Sequence, residues 1–264
     1  MLNEPNYPKP GATGEQFFLD LEVLNTHINH NKWAWFETLC LPESMRLEED
    51  FHGPFQLADW IVNIQETTSG ATVVQRYSSN LSVITDAGAG DYFEFLQADS
   101  PWGLFDRSDR LFFETRLSWN HNLPYVDPGE IWAGFVGRQF WGTSGYFGGG
   151  SPCYIIFRGT PPLARMRFEV YDGVSLVSID TGFDVPADDF LRLFFHFDGE
   201  AIRWFIWDQT ISPDINAAPV AAGRVDAGWM TWWPFHAGYG IRNVAGFIAL
   251  MNNDYLRVAQ KRRL

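Results

Sequence analysis

Two pairs of closely spaced carboxylates in this 264-residue chain could carry acid–base chemistry. Glu169 and Asp172 lie three apart in the segment FEVYDG, and Asp20 and Glu22 lie two apart in LDLE. Retaining glycoside hydrolysis needs two carboxyl groups about 5–5.5 Å apart. Residues three apart point to opposite faces of a strand, and the second pair falls in a predicted helix without a third carboxylate partner. No local motif therefore supplies such a site, although pairing between distant segments stays open.

Histidine, glycine and cysteine patterns point to no other chemistry. His27 and His30 could offer two metal ligands from one side of a helix, but no cysteine or carboxylate motif accompanies them, so we interpret them as surface histidines. The glycines at 148–150 lack the lysine of a phosphate loop. No Gly-x-Ser-x-Gly elbow is present, and neither Cys40 nor Cys153 has an adjacent histidine. We predict no catalytic, cofactor-binding or metal-binding residues, and a protein that is not an enzyme.

Three tryptophans lie close together in the segment GWMTWWPF: Trp229, Trp232 and Trp233. Exposed tryptophans can stack on sugar rings or anchor a protein interface, and buried ones fill a core. Asp226-Ala-Gly before them and Pro234 after them favour a loop. All three interpretations stay open, so these residues are candidates for interface or glycan-stacking aromatics.

The segment LRLFFHFDGEAIRWFIWDQ, residues 191–209, shows which elements must position such side chains. Apolar residues alternate in two runs around Asp198-Gly199, which predicts two strands joined by a two-residue turn. One face of the first run carries Leu191, Leu193, Phe195 and Phe197, and the other carries Arg192, Phe194 and His196. In the second run, Ile202, Trp204 and Ile206 alternate with Arg203, Phe205 and Trp207. One face of this hairpin belongs to a core. The other must be covered by the N-terminal helix, a neighbouring subunit or a sugar.

Further strands are predicted along the chain, which has 17% aromatic residues, a composition that suits pleated, half-buried surfaces. The runs at 80–85 and 92–96 flank the turn sequence DAGAG and predict a hairpin. Alternation at 113–119 and the apolar runs at 131–137, 154–158 and 166–171 predict others. Many short strands with Asp-Gly turns and little helix indicate a sandwich or barrel.

Residues 1–48 differ from the rest and are predicted to form an N-terminal arm. A proline-rich start is followed by a capping box, Thr13 with Gln16. The next apolar residues recur at spacings of four, three and four, on one stripe of an amphipathic helix: Phe17, Leu21, Leu24 and Ile28. Because a single helix of about four turns is not stable alone in water, we expect this stripe to contact its own domain, another subunit or a capsid.

Charge and composition exclude several partner classes. The net charge of −13 argues against nucleic acid, whose phosphates need a basic face. No run of 18 apolar residues is present, so we predict no membrane span. The N-terminus has no basic start and no apolar core of a secretory signal, and two cysteines form no disulfide framework.

Residues from about 49 onward resemble the concanavalin A-like (laminin-G-like) jelly rolls. EDFHG at 49–53 with ADW at 58–60 is similar to the opening strand of that family, and 180–208 resembles its most recognisable strand pair. NDYLRVAQKR at 253–262 resembles the closing strand, which in this fold pairs beside the first. The resemblance implies an all-β concanavalin A-like jelly-roll β-sandwich over 49–264, preceded by a short N-terminal arm containing one helix.

A short arm, one such domain and a final Tyr-x-Arg-Val strand resemble the layout of tailed-bacteriophage virion proteins. This implies a non-enzymatic capsid decoration (cement) protein, made in the host cytoplasm and bound to the outer capsid surface. Its expected partners are the major capsid protein and further copies of itself, as a dimer or trimer. A carbohydrate-binding module is the first alternative, and a laminarinase-like glycoside hydrolase on the same fold is the second, although its strand motif Glu-x-Asp-x-x-Glu is absent. No cofactor is predicted, but the resemblance leaves a structural calcium ion open.

Overall fold

A computed structural model of the chain contains sixteen strands within its described residues. The described residues are 44–49, 60–65, 73–77, 80–85, 90–97, 105–106, 111–120, 129–137, 153–160, 165–186, 189–197, 200–209, 218–230, 234–243 and 250–261. The strands are β1 (Ser44–Glu49), β2 (Trp60–Gln65), β3 (Val73–Tyr77), β4 (Asn80–Ile84), β5 (Tyr92–Gln97), β6 (Phe105–Asp106), β7 (Leu111–Asn120), β8 (Glu130–Val136), β9 (Tyr154–Thr160), β10 (Arg165–Tyr171), β11 (Leu176–Asp184), β12 (Phe190–Phe197), β13 (Ala201–Asp208), β14 (Ala221–Asp226), β15 (Pro234–Arg242) and β16 (Leu250–Lys261).

The strands build two eight-stranded antiparallel sheets. Sheet A has the order β14-β13-β12-β7-β16-β4-β3, and β1 also pairs with β16. Sheet B has the order β11-β10-β9-β8-β15-β5-β2, and β6 also pairs with β15. The predicted all-β sandwich is confirmed, and the closing strand β16 pairs with β1. Of the opening strand predicted at 49–53 and 58–60, only Glu49 and Trp60 lie within the described residues. Strand β1 lies almost wholly on the arm side of the boundary predicted at residue 48.

Aromatic rings from both sheets meet in the core between them. Phe195 of sheet A stacks on Phe113 with ring centroids 5.2 Å apart, and it contacts Phe135 and Phe168 of sheet B, each at 5.7 Å. Trp204 of sheet A stacks on Phe168 at 5.7 Å. The inner faces of two packed sheets interdigitate in this way. The high aromatic content is therefore used in part to fill the space between the sheets.

The alternation predicted for residues 191–209 is confirmed. Leu193, Phe195 and Ile206 are fully buried in the core, as the period of two requires. The predicted two-residue turn is wrong, because Phe197 pairs with Ile202 and the connection between these paired positions has four residues, 198–201.

The hairpin predicted between 80–85 and 92–96 is also wrong. β4 pairs with β3 and β16 in sheet A, whereas β5 pairs with β2 and β15 in sheet B. The chain crosses from one sheet to the other between them, and Leu81 and Phe93 both reach the same core. A turn signal between two apolar runs indicates that the chain reverses direction there. It does not indicate that the two runs pair with each other, because strand pairing also depends on contacts with distant segments.

Candidate functional site

The outer face of sheet A carries an ordered lattice of aromatic and charged side chains. Cross-strand pairing places Ala259, Phe112, His196 and Arg203 in one row across β16, β7, β12 and β13. The next row along the strands contains Arg257, Glu114, Phe194 and Phe205, and the third contains Tyr255, Arg116, Arg192 and Trp207. Side chains in one row of a sheet face are direct neighbours, so these segments meet although they are far apart in the chain.

The first part of this lattice, which we name the closed half, consists of Phe112, Glu114, Phe194 and His196. Phe112, Glu114 and His196 are at most 1% exposed, and Phe194 is 8% exposed. The rings of Phe112 and His196 stack with centroids 4.4 Å apart. These side chains point away from sheet B yet are shielded from water.

A buried ion pair lies at the border of the closed half. Glu114 Oε1 accepts hydrogen bonds from Arg192 Nε at 2.5 Å and from the Tyr255 hydroxyl at 2.7 Å. Burial opposes the guanidinium charge, but the nearby Glu114 outweighs it, and the pKa of Arg192 is raised. Burial, followed by the charge of Glu114, raises the pKa of Tyr255 well above its ordinary value. The carboxylate is thus matched by a cation and by a neutral donor.

The second part of the lattice, the aromatic–polar patch, is half-buried and consists of Phe190, Phe205, Trp207, Arg116, Gln209 and Asp254. Phe205 and Trp207 stack with centroids 5.7 Å apart at 26°. The Arg116 guanidinium lies over the Phe190 ring at 4.2 Å and donates to Asp254 at 2.6 Å and to Gln209. Flat apolar rings therefore lie beside planar hydrogen-bonding groups on one partly accessible surface.

The outer face of sheet B holds a separate charge cluster. Arg158 bonds Glu130 at 2.5 Å and Glu169 at 3.2 Å, and Arg242 also bonds Glu130. Ser178 donates to Glu169 at 3.0 Å. Coulombic attraction to Glu130 and Glu169 raises the pKa of Arg158 against the opposing effect of burial. The side chains of Glu130 and Glu169 are therefore both held in ion pairs with guanidinium groups on this face of sheet B.

Each sequence-predicted carboxylate of FEVYDG has its own structural partners. Asp172 accepts backbone hydrogen bonds from Val174 at 2.9 Å and Ser175 at 2.8 Å, which closes the turn after β10. Glu169 instead joins the cluster with Arg158. The two carboxylates are therefore held by different groups. Asp20 and Glu22 lie outside the described residues.

Of the three candidate tryptophans, only Trp229 falls within the described residues. It lies in the turn after β14, is 37% exposed, and donates from Nε1 to the backbone oxygen of Asp226 at 2.7 Å. It is not part of the aromatic–polar patch. Trp232 and Trp233 lie outside the described residues, as do Phe17, Leu21, Leu24 and Ile28 of the predicted helix, His27 and His30, and the glycines at 148–150.

Neither a metal cluster nor a membrane-spanning helix is found in the described part of the chain. Within the described ranges, no group of three or more His, Cys, Asp or Glu side chains is arranged to hold a metal ion. Across that same part of the chain, no helix is long and apolar enough to cross a membrane.

Comparison with solved structures decides the fold. A seed lectin from Lotus tetragonolobus superposes with a TM-score of 0.58 at 8% identity, covering 83% of this chain and 100% of the lectin. The fold is a concanavalin A-like jelly roll. The carbohydrate recognition domain of Emp47p matches with a TM-score of 0.54 at 12% identity, covering 83% and 95% of the two chains. A protein of unknown function from Shewanella oneidensis MR-1 matches with a TM-score of 0.57 at 8% identity over 97% of both. No family model and no curated protein sequence matches this concanavalin A-like chain.

Only part of this site can be found from the sequence. Alternation places Phe205 and Trp207 on the same face of their strand, but no pattern singles out Arg116, Gln209 and Asp254. Arg116 is 93 residues from Gln209 and 138 from Asp254. No local motif marks residues so far apart, because only strand pairing brings them together.

Proposed function

We propose that this protein is a non-catalytic carbohydrate-binding protein that holds its glycan on the aromatic–polar patch of sheet A. The observation that carries the proposal is the stacked pair Phe205–Trp207 beside the hydrogen-bonded group Arg116–Gln209–Asp254. An aromatic ring offers a flat apolar surface with little conformational entropy to lose. A few fixed polar groups then orient a bound small molecule.

Sugars match both parts of this surface. One side of a pyranose ring is lined by C–H bonds and can lie on Trp207, while its hydroxyl groups can donate to Asp254 or Gln209 and accept from Arg116. The patch spans β13, β12, β7 and β16, which is about 14 Å at ordinary strand spacing. The lectins among the structural neighbours motivate this ligand class, but at their low identity they show the fold alone, and the patch itself carries the proposal.

The absence of catalysis is part of this proposal. Glu130 and Glu169 are hydrogen-bonded to Arg158, and the sequence lacks the strand motif Glu-x-Asp-x-x-Glu of the laminarinase-like hydrolases. We expect the protein to bind a glycan without releasing reducing sugar. The predicted role as a capsid decoration protein rests on the sequence resemblance alone. Nothing in the comparisons supports a virion setting, and the self-association and capsid partner predicted with it stay predictions.

A glycan array followed by calorimetric titration of the best binder tests the proposal. Trp207→Ala should weaken binding about tenfold or more, a loss of about 1.4 kcal/mol. Trp229→Ala is the matched control, because that tryptophan is exposed in a turn away from the patch, and its affinity should match that of the unmodified protein. Loss of binding in Trp229→Ala alone would move the site to the turn after β14. A protein that binds no glycan would overturn the proposed function.

A further inference from the structure

The closed half of the outer face of sheet A is covered by a part of the molecule other than sheet B. Phe112 and His196 are 1% and 0% exposed. Their sequence neighbours Phe113 and Phe195 point the other way and contact Phe135 of sheet B. Since successive side chains on a strand point to opposite faces, sheet B lies on the wrong side to shield Phe112 and His196.

The chain enters sheet A at the same end as this closed half. β1 begins at Ser44, opposite Lys261, and Arg46 pairs with Ala259. Ala259 pairs with Phe112, and Phe112 with His196. The first 43 residues therefore join the sandwich within one or two residues of the row that needs a cover.

The predicted helix has the length to cover this surface. From Phe17 to Ile28 there are eleven steps, so the apolar stripe is about 16 Å long at 1.5 Å per residue. The closed half and its flanks extend from β16 to β13, three strand spacings or about 14 Å. Residues 29–43 can span up to about 50 Å when extended, which is ample for the chain to return to Ser44.

Charge also matches the helix to this face. The outer face of sheet A has more basic than acidic side chains among those described on β7, β12, β13, β14 and β16. The three carboxylates are Glu114, Asp226 and Asp254, and the five arginines are Arg116, Arg192, Arg203, Arg224 and Arg257. The predicted helix, residues 13–28, contains Glu15, Asp20 and Glu22 and no lysine or arginine. An acidic helix with one apolar stripe suits a basic, aromatic face.

We propose that the N-terminal helix of the same chain covers the closed half, with the stripe Phe17, Leu21, Leu24 and Ile28 against Phe112, Phe194 and His196. The arm is then an integral cover of the sandwich, and it leaves the aromatic–polar patch as the accessible part of the face. The cover does not depend on whether the patch binds a glycan.

Carbethoxylation of individual histidines by diethyl pyrocarbonate, followed by mass spectrometry, tests this in the full-length protein. Leu24→Asp places a charge in the stripe, and Thr26→Asp places the same charge on the opposite side of the helix. His196 should react at least about tenfold faster in Leu24→Asp than in the unmodified protein, and at an unchanged rate in Thr26→Asp. His236, 1% exposed on sheet B, reports on global unfolding and should not change.

Several results would overturn the proposal. An unchanged His196 rate in Leu24→Asp means that the stripe is not the cover. A His196 rate in the unmodified protein that rises on dilution means that a second copy supplies the cover. If Leu24→Asp also raises the carbethoxylation rate of His236, the milder variant Leu24→Ala replaces it. A faster reaction of His196 alone in Leu24→Ala supports the proposal, and an unchanged His196 rate rejects it.

Discussion

The guanidinium carbon of Arg192 lies 4.9 Å from the centroid of the Trp207 ring. The same side chain donates to Glu114, whose carboxylate is completely buried. Arg192 therefore links the buried ion pair of sheet A to the aromatic platform proposed for glycan binding. Its charge neutralises a carboxylate on one side, and its flat face supports an aromatic ring on the other.

Arg192→Met should lower the free energy of unfolding by about 3–5 kcal/mol, because it leaves a buried carboxylate without its cation. Urea unfolding at neutral pH measures this. Arg165→Met is the control: Arg165 pairs with Asp184 at 2.8 Å with both side chains exposed, and its loss should change the stability far less because water screens exposed pairs. The double variant Arg192→Met/Glu114→Met should recover much of the loss, since no buried charge remains. Equal effects of Arg192→Met and Arg165→Met would contradict the assignment of a buried pair.

Phe195→Ala should be among the most destabilising substitutions, at about 3–5 kcal/mol, because a buried phenyl ring is removed and a cavity is left. Phe195 contacts rings of Phe113, Phe135 and Phe168 in both sheets. The matched control is Phe205→Ala on the outer face, where the ring is half-buried and the loss should be clearly smaller. Thermal unfolding of both variants distinguishes them, and a larger loss for Phe205→Ala would contradict the placement of the core.

Gly238→Ala should lower the free energy of unfolding by about 1–3 kcal/mol, as expected for overpacking. A Cβ atom at Gly238 would lie 2.1 Å from the backbone oxygen of Phe95 on the neighbouring strand β5, so backbone must move. Gly228→Ala is the control, because the nearest atom there would be 3.9 Å away. We expect a change within about 0.5 kcal/mol for that variant. Chemical denaturation compares them, and a stable Gly238→Ala would show that β5 and β15 can separate without cost.

Stability should fall in alkaline solution, in part through Tyr154. Burial, and then the charge of Glu169, raises the pKa of Tyr154 to about 12 from its ordinary value of 10.0. The unfolded chain releases this proton first, so the stabilising contribution is fully present below about pH 10 and is lost as the pH rises towards about 12. The loss from this residue should be roughly 1–3 kcal/mol.

Unfolding titrations of the unmodified protein and Tyr154→Phe at about pH 8 and about pH 11 test this linkage. The difference in unfolding free energy between the two pH values should be smaller in Tyr154→Phe. Part of the alkaline loss should remain, because burial also raises the pKa values of Tyr92 and Tyr255. An identical pH dependence in the two proteins would show that Tyr154 ionises equally easily in the folded and unfolded states.

Alternation within a strand can be interpreted from sequence alone. The pattern of residues 191–209 predicts that Phe195 and Phe194 lie on opposite faces, as do Trp204 and Trp207, and the structure places Phe195 and Trp204 in the core. The reason is that successive side chains on any strand point in opposite directions. The order of neighbouring residues is therefore enough to tell which side chains share a face. The class of fold follows from the same pattern, repeated along the chain.

Which strands pair with each other cannot be predicted from the local pattern of residues. β4 and β5 are adjacent in sequence and have apolar residues of the right period, yet they lie in different sheets. Their turn sequence could not reveal this, because β4 pairs with β3 and with β16, and β16 is about 170 residues away.

The sequence by itself thus determined the all-β class and the two faces of the central hairpin, with Phe205 and Trp207 together on one of them. Only the tertiary structure decided that Arg116, Gln209 and Asp254 join them, and that Glu114 is buried with Arg192. Strand faces depend on a period of two residues, which is local. Binding groups depend on which distant strands pair, and that choice is made by the free energy of the whole sandwich.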